Sequence, residues 1–388
     1  MNEKRLFFMD NLKMFTINLM IVFHLGLCYM AYSPEWWYVV DTEHCSLFLT
    51  GFVTWVDVFI MPMMFFISGY FGIRTLKKHG GSKWWNGRFK RIIVPWIVGV
   101  ALFAAPVSYL TFFSRNAPVD FATFCRDWFF FDPVNGGSGV FFSHIQYWYL
   151  GVLTVFYLVM YIISRLDKNY LTQYDPRPND RSMAVPLFIF VFCNVVAMDI
   201  ITGFDDLWIH LSYFLVIQPC RVLPYVWAFF LGAYAWKHQW FSETGYTPSV
   251  KKWVPIFAVM TLIYPCWVLF GRFIATDPLH FIFIRGLCQA AMFTSSFFGL
   301  LAIFFKFFNG TNKFFGEMAA NSYTMYYAHM QIVFPVAYFL LPLDIPWFPK
   351  WIISSIIGLF ITYCVSKLLL FLPCFASSKK AKLSYSEK

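Results

Sequence analysis

Lys13-Met-Phe-Thr-Ile-Asn-Leu-Met-Ile-Val-Phe-His24 lies in the first long apolar segment of the chain, with ten almost wholly apolar residues between the two ionisable ones. On an α-helix that step turns about 1100° and rises about 16 Å, which puts both side chains on one face at different depths. Ionisable groups inside a membrane helix are costly and by default mark a functional site. A lysine near one end and a histidine deeper in describe a polar path ending at a group that titrates near neutral pH. Asp10 falls only about 40° off the face of His24. It can pair with Lys13 near the surface, which is the alternative to a ligand-binding role for either residue. The corresponding alternative for His24 is a histidine hydrogen-bonded between helices for packing.

The surrounding composition agrees with a membrane setting. Of the 388 residues, 59% are hydrophobic, 23% aromatic and only 13% charged, far more apolar than a soluble domain. Apolar stretches run roughly over 8–31, 47–73, 91–113, 141–163, 184–203, 218–237, 252–273, 279–305, 314–341 and 349–372, each long enough to span a bilayer. The expected architecture is an all-α polytopic protein of about ten transmembrane helices with both termini cytoplasmic. The fifth and sixth spans are the least clear-cut, because Asp199, Asp205 and Asp206 cluster between them. The first span reads as a retained anchor rather than a cleaved signal. Residues 1–375 form a single transmembrane domain, followed by a basic cytoplasmic tail over 376–388.

A formal charge of +10 would suggest nucleic acid in a soluble chain. Here the positive residues alternate from loop to loop. Lys4 and Arg5, the run from Arg74 to Arg91, Arg165 to Arg181, Lys237 to Lys252, Lys306 with Lys313, and the tail all fall on one side, against Arg115, Arg126, Arg272 and Lys350 on the other. This is the positive-inside pattern, and it removes nucleic acid as a partner while leaving membrane lipids. Seven cysteines lie in or beside apolar spans as small core residues, and a disulfide between Cys45 and Cys125 near the outer surface is not expected. There is no zinc, nucleotide or dinucleotide fingerprint. The turn-rich stretch from Asp132 to Gly139 reads as a mobile outer loop.

Other residues can join His24. Asp57 in the second span lies at a depth compatible with His24, and a carboxylate holding a histidine in one tautomer is the usual activated-base arrangement. Asp57 is equally placed to pair with Arg221 or Arg285. Ser322, Tyr326 and His329 share one face of the ninth span, either as a structural hydroxyl ladder or as part of a site with His329 mid-membrane. His144 begins the fourth span beside Gln146, Tyr147 and Trp148, where aromatics are expected as an interfacial belt. Arg88 and Arg91 lead directly into the third span. Most of their basic loop is a topology signal that attracts anionic lipid, but these two lie close enough to the membrane to bind phosphate by forked hydrogen bonds.

These residues resemble the acyltransferase-3 superfamily of bacterial membrane acyltransferases, and within it the glucan biosynthesis protein C (glucan succinyltransferase) branch. The family's basic residue, ten-residue gap and histidine are matched by Lys13 to His24. Phe65-Phe-Ile-Ser68-Gly69-Tyr-Phe71, Arg88-Phe-Lys-Arg91, His144-Ile-Gln-Tyr-Trp148, Phe229-Phe-Leu-Gly232 and Ser322-Tyr323 to His329 are similar to its later landmarks, in the expected order. Lysine stands at position 13 where many members carry arginine, which keeps the charge but loses bidentate geometry. Gln146 stands where leucine is common. The resemblance implies transfer of an acetyl or succinyl group from a cytoplasmic acyl-CoA to a hydroxyl of an extracytoplasmic carbohydrate. As a hypothesis for that reaction, His24 acts as base or acyl carrier, Asp57, His144 and His329 as supporting catalytic residues, and Lys13, Ser68, Arg88 and Arg91 as donor contacts. No permanently bound cofactor or metal is expected. A transporter or exporter of a glycan or acylated substrate is the competing reading, since a charged, histidine-lined path also suits ion-coupled transport.

Overall fold

The computed structural model describes residues 5–34, 37–117, 119–129, 142–177, 183–203, 208–211, 213–372 and 375. The expected loop at Asp132 to Gly139, together with Arg181, Asp205, Asp206, Cys374 and the tail over 376–388, lies outside them. The chain runs through α1 (Phe7–Cys28), α2 (Leu47–Asp57), α3 (Ile60–His79), α4 (Gly81–Arg88), α5 (Val94–Gly99), α6 (Ala105–Phe113) and α7 (Phe121–Phe129). It continues through α8 (Trp148–Leu166), α9 (Ala184–Thr202), α10 (Pro219–Lys237), α11 (Val250–Ile274), α12 (Pro278–Phe307), α13 (Lys313–Ala328), α14 (Met330–Leu340) and α15 (Trp347–Leu369).

All ten expected stretches are helical, and eight of them are long and apolar enough to cross a membrane. The other two are α10 and the pair α13–α14. The second of these fails because the rod is interrupted at His329, which leaves two shorter helices. One element was not expected from the sequence. Ile209–Leu211 and Leu215–Ile217 form a short antiparallel hairpin, with His210 opposite Val216.

Several irregularities in the long rods lie beside prolines. A proline has no N–H and its ring crowds the carbonyl one turn back. Pro62 follows the turn at Val58–Phe59 that separates α2 from α3. Pro95 and Pro106 follow wide π-helical turns at Phe89–Ile93 and Val100–Ala104, the form in which a helix absorbs such a conflict. The freed carbonyls find side-chain donors. Arg91 O, four residues before Pro95, accepts from the Tyr323 hydroxyl. Cys220 O, four residues before Pro224, accepts from Asn194 Nδ2 at 2.7 Å.

The helices α3 and α10 approach backbone to backbone through two glycines. A methyl group on Gly69 would overlap the Phe229 carbonyl oxygen, and one on Gly232 the Phe66 carbonyl oxygen. Small residues allow such close packing where lipid supplies no hydrophobic drive. Gly69→Ala and Gly232→Ala are each expected to cost about 1–3 kcal/mol, read as a lower thermal midpoint in detergent; unchanged midpoints would contradict the packing.

Around this seam lies an aromatic core that includes Phe65, Phe66, Tyr147, Phe229, Phe297 and Tyr326. The helices α11 and α15 turn large apolar side chains outward, among them Leu262, Phe273, Ile356 and Phe360, the composition of a lipid-facing surface. Helix α1 is central, touched by α2, α3, α12, α13, α14 and α15. The connections gather at two ends. One end, the loop face, carries residues 29–46, where Tyr38 O accepts from Ser114 Oγ at 3.0 Å and Trp37 O from Arg115 Nη2 at 2.8 Å. The other, the basic face, carries the residues from Arg74 to Arg91.

Candidate active site

The central position of α1 brings His24 against His329, with ring centroids 4.9 Å apart. Both imidazoles are held the same way. His24 Nδ1 lies 2.7 Å from Met20 O, and His329 Nδ1 lies 2.7 Å from Tyr326 O. A carbonyl can only accept, so each Nδ1 carries a proton, and in its neutral form each ring keeps a bare Nε2 able to accept one. His329 is fully buried, and its Nε2 has no partner among the described residues. His24 is half-buried. Trp37, from the loop face, stacks on the His24 ring at 5.8 Å.

The interruption at His329 explains the polar groups around it. The last four carbonyls of a helix lack intrahelical partners, and α13 ends at Ala328. Tyr326 O takes the His329 proton. Tyr327 O accepts from Gln146 Nε2 at 2.9 Å and the Tyr147 hydroxyl at 3.1 Å, while the Tyr326 hydroxyl donates to Gln146 O. Gln331 joins Gln146 and Tyr147 at 3.1 and 3.0 Å. The segment that opens the fourth span is therefore docked onto the broken ninth.

Ile145 within that segment has φ +43°, a conformation rare for a β-branched residue. Ser143 Oγ, accepting from Ile145 N at 3.0 Å, helps to hold it. His144, beside this strained residue, is buried, with Nε2 3.0 Å from Tyr213 O in the hairpin turn and Trp96 against its ring. Its tautomer therefore places the proton on Nε2.

Asp57 does not orient His24. It forms an ion pair with Arg221 of α10, and the His24 ring hydrogen-bonds only Met20 O among the described residues. The reason is geometric: the turn at Val58–Phe59 leaves Asp57 at the end of α2, on the α10 side. Nor does Lys13 pair with Asp10, which is held by Arg5 at 3.1 Å. Lys13 stays half-buried with no ion pair among the described residues. Ser68 is bonded to the Tyr149 hydroxyl at 2.8 Å, and Tyr149 packs edge-on against Tyr326 at 5.6 Å. Ser68 thus supports the ring stack behind His329.

On the basic face, Arg88 has its Nη2 2.6 Å from Thr75 Oγ1 and its guanidinium over the rings of Tyr157 and Trp84, at 4.5 and 5.1 Å. No carboxylate pairs with it among the described residues, and its Nε is buried without a partner. Its charge is met by a hydroxyl and two ring faces rather than by a carboxylate. The Arg91 side chain is exposed beside it. Cys45 and Cys125 are both free thiols.

One buried group was missed by reading the sequence. Lys350 is fully buried and bonds Asp41 Oδ2 at 2.6 Å, with Leu341 O at 3.2 Å. His44 lies 3.4 Å from the Lys350 ammonium and 3.0 Å from Asp344. This cluster clamps the 29–46 loop, and with it Trp37, to the start of α15. Its only sequence signals were a lysine and an aspartate in short polar connections, which read as surface residues.

The fold is a multi-helix bundle of membrane type, with two histidines packed together in its interior and, among the described residues, an arginine without a carboxylate partner at one face. Residues 6–369 match the acyltransferase domain family, and the chain belongs to that family of acyltransferases. It is 26% identical over 252 residues to glucans biosynthesis protein C of Shigella dysenteriae, a match covering 63% of this chain and 62% of that protein. Glucans biosynthesis protein C of Escherichia coli aligns with the same identity and coverage. The chain thus spans less than two thirds of the length of these relatives. No solved structure matches it significantly.

Proposed function

We propose that this protein moves an acetyl or succinyl group from an acyl-CoA bound at the basic face to a hydroxyl of a carbohydrate reached from the loop face, with the basic face cytoplasmic. The observation that carries this reading is the His24–His329 pair, each ring with Nδ1 committed to a helix carbonyl and Nε2 bare. The acceptor hydroxyl attacks the thioester carbonyl as His24 Nε2 takes its proton. The new C–O bond forms, the C–S bond breaks, and the proton passes to the departing thiolate. His329, fixed beside it, holds the His24 ring in place. The match to glucans biosynthesis protein C supports a glucan as acceptor, and the reading places the protein in the bacterial inner membrane.

Arg88 binds donor phosphate in this scheme, with Arg91 alongside and Lys13 further along the path. Arg88→Gln is expected to raise the donor KM about tenfold with kcat little changed, measured with the purified protein and labelled acetyl- or succinyl-CoA. An unchanged donor KM would remove Arg88 from the donor site. Incubating the wild-type protein with labelled donor and a glucan tests the activity itself. Label on the glucan supports transfer, whereas movement of substrate without label transfer would indicate a carrier.

A further inference from the structure

Two ion pairs, Asp57–Arg221 and Asp199–Arg285, join α2 to α10 and α9 to α12. The transfer chemistry above uses neither of them, and charges are retained inside a membrane bundle at a cost that usually marks a function. The two pairs differ in access. Asp199 is closed off at 5% side-chain exposure, whereas Asp57 and Arg221 keep 23% and 27%. One turn beyond Arg285, Gln289 holds a buried carbonyl oxygen with no donor among the described residues.

Beside the accessible pair stands a set of flat rings. Arg221 lies one helical turn before Tyr225 on α10, and the Tyr225 side chain is buried. The Tyr225 ring stacks on Phe65 at 5.0 Å and on Trp148 at 5.8 Å. Trp148 meets Trp208 at 5.7 Å, and both tryptophans are partly exposed. We infer that Asp57, Arg221, Trp148 and Trp208 form a subsite that anchors a polyhydroxyl chain, apart from the imidazole pair.

The chemistry selects that ligand class. An ion pair has no net charge with which to attract an anion, but its carboxylate accepts and its guanidinium donates, matching hydroxyls that do both. A few placed polar groups beside aromatic faces are the usual composition of a small-molecule site. A buried wall of rings, Tyr225, Phe65, Tyr149, Tyr326 and His329, with successive centroids 5.0, 4.8, 5.6 and 5.9 Å apart, stands between the subsite and the imidazole pair. The subsite therefore suits an oligomeric acceptor, one unit of which is held at Trp208 while another, reaching round that wall, meets His24.

This inference rests on the acyl-transfer reading for its acceptor, so the test measures binding without turnover. The full-length protein in detergent is titrated with hexameric gluco-oligosaccharides of differing linkage, followed by intrinsic fluorescence and by saturation-transfer NMR. Wild type and the turnover-blocked His24→Ala variant should bind at least one hexamer. Trp208→Ala and Asp57→Asn should each weaken it about tenfold. Trp208→Ala removes a partly exposed ring and keeps the test valid should Asp57→Asn unfold. Binding unaltered in the folded variants, as expected if the tryptophans are only interfacial anchors, or no binding to wild type, would overturn the subsite. The expected binding pattern in a protein that transfers no acyl group would leave the subsite standing and remove the enzymatic reading instead.

Discussion

Replacing His24 with Ala should lower acyl transfer by a factor on the order of 10²–10⁴, the usual contribution of a positioned general base. The expectation follows from the hydrogen-bond assignment. Met20 O fixes the proton on Nδ1, so Nε2 is the only basic atom that the ring offers, and alanine removes it without a replacement. The imidazole is half-buried, so expression, membrane insertion and the thermal midpoint should change little. The measurement is label transfer from acyl-CoA to glucan by equal amounts of purified wild type and variant. A rate within about threefold of wild type would exclude His24 as the base. His329→Ala should also lower the rate, because His24 loses the ring against which it is packed.

Lys350→Met should destabilise the protein by about 3–5 kcal/mol, the cost of removing one partner from a buried ion pair. Lys350 is fully buried and Asp41 is 4% exposed, so methionine would leave a carboxylate with little water to solvate it. The clamp ties the loop bearing Trp37 to α15, and activity should fall along with stability. Thermal unfolding in detergent reports the loss. The double variant Asp41→Asn with Lys350→Met should recover most of the midpoint, since the stranded charge is then gone. A midpoint for Lys350→Met within a degree or two of wild type would show that the cluster is solvated and contributes little.

What could be read from the sequence was governed by local spacing. Lys13 and His24 share a helix, so eleven residues of sequence were enough to relate them, and Arg88 announced itself by standing before the third span. The bends could be anticipated only at the prolines, since the break at His329 has no proline at its point of interruption. Pairings between distant elements were legible only as alternatives. Asp57 and Arg221 are far apart in sequence, and a carboxylate at the right depth for His24 was at the right depth for several arginines as well. The same holds for Lys350 and Asp41, each unremarkable in its own loop. Hydropathy located α10 and the α13–α14 stretch, but not the break at His329 that divides the latter.

The central claim is that the two histidines join a donor arriving at the basic face to an acceptor at the loop face, and a sided assay tests it most directly. Protein is reconstituted into vesicles, with orientation established by proteolysis of the basic loop. Labelled acyl-CoA is added on the basic side and glucan is enclosed on the other. The account predicts label on the enclosed glucan, an equal amount of free coenzyme A thiol on the donor side, and neither product with His24→Ala. Label transfer only when donor and acceptor share one side, or transfer undiminished in His24→Ala, would contradict it.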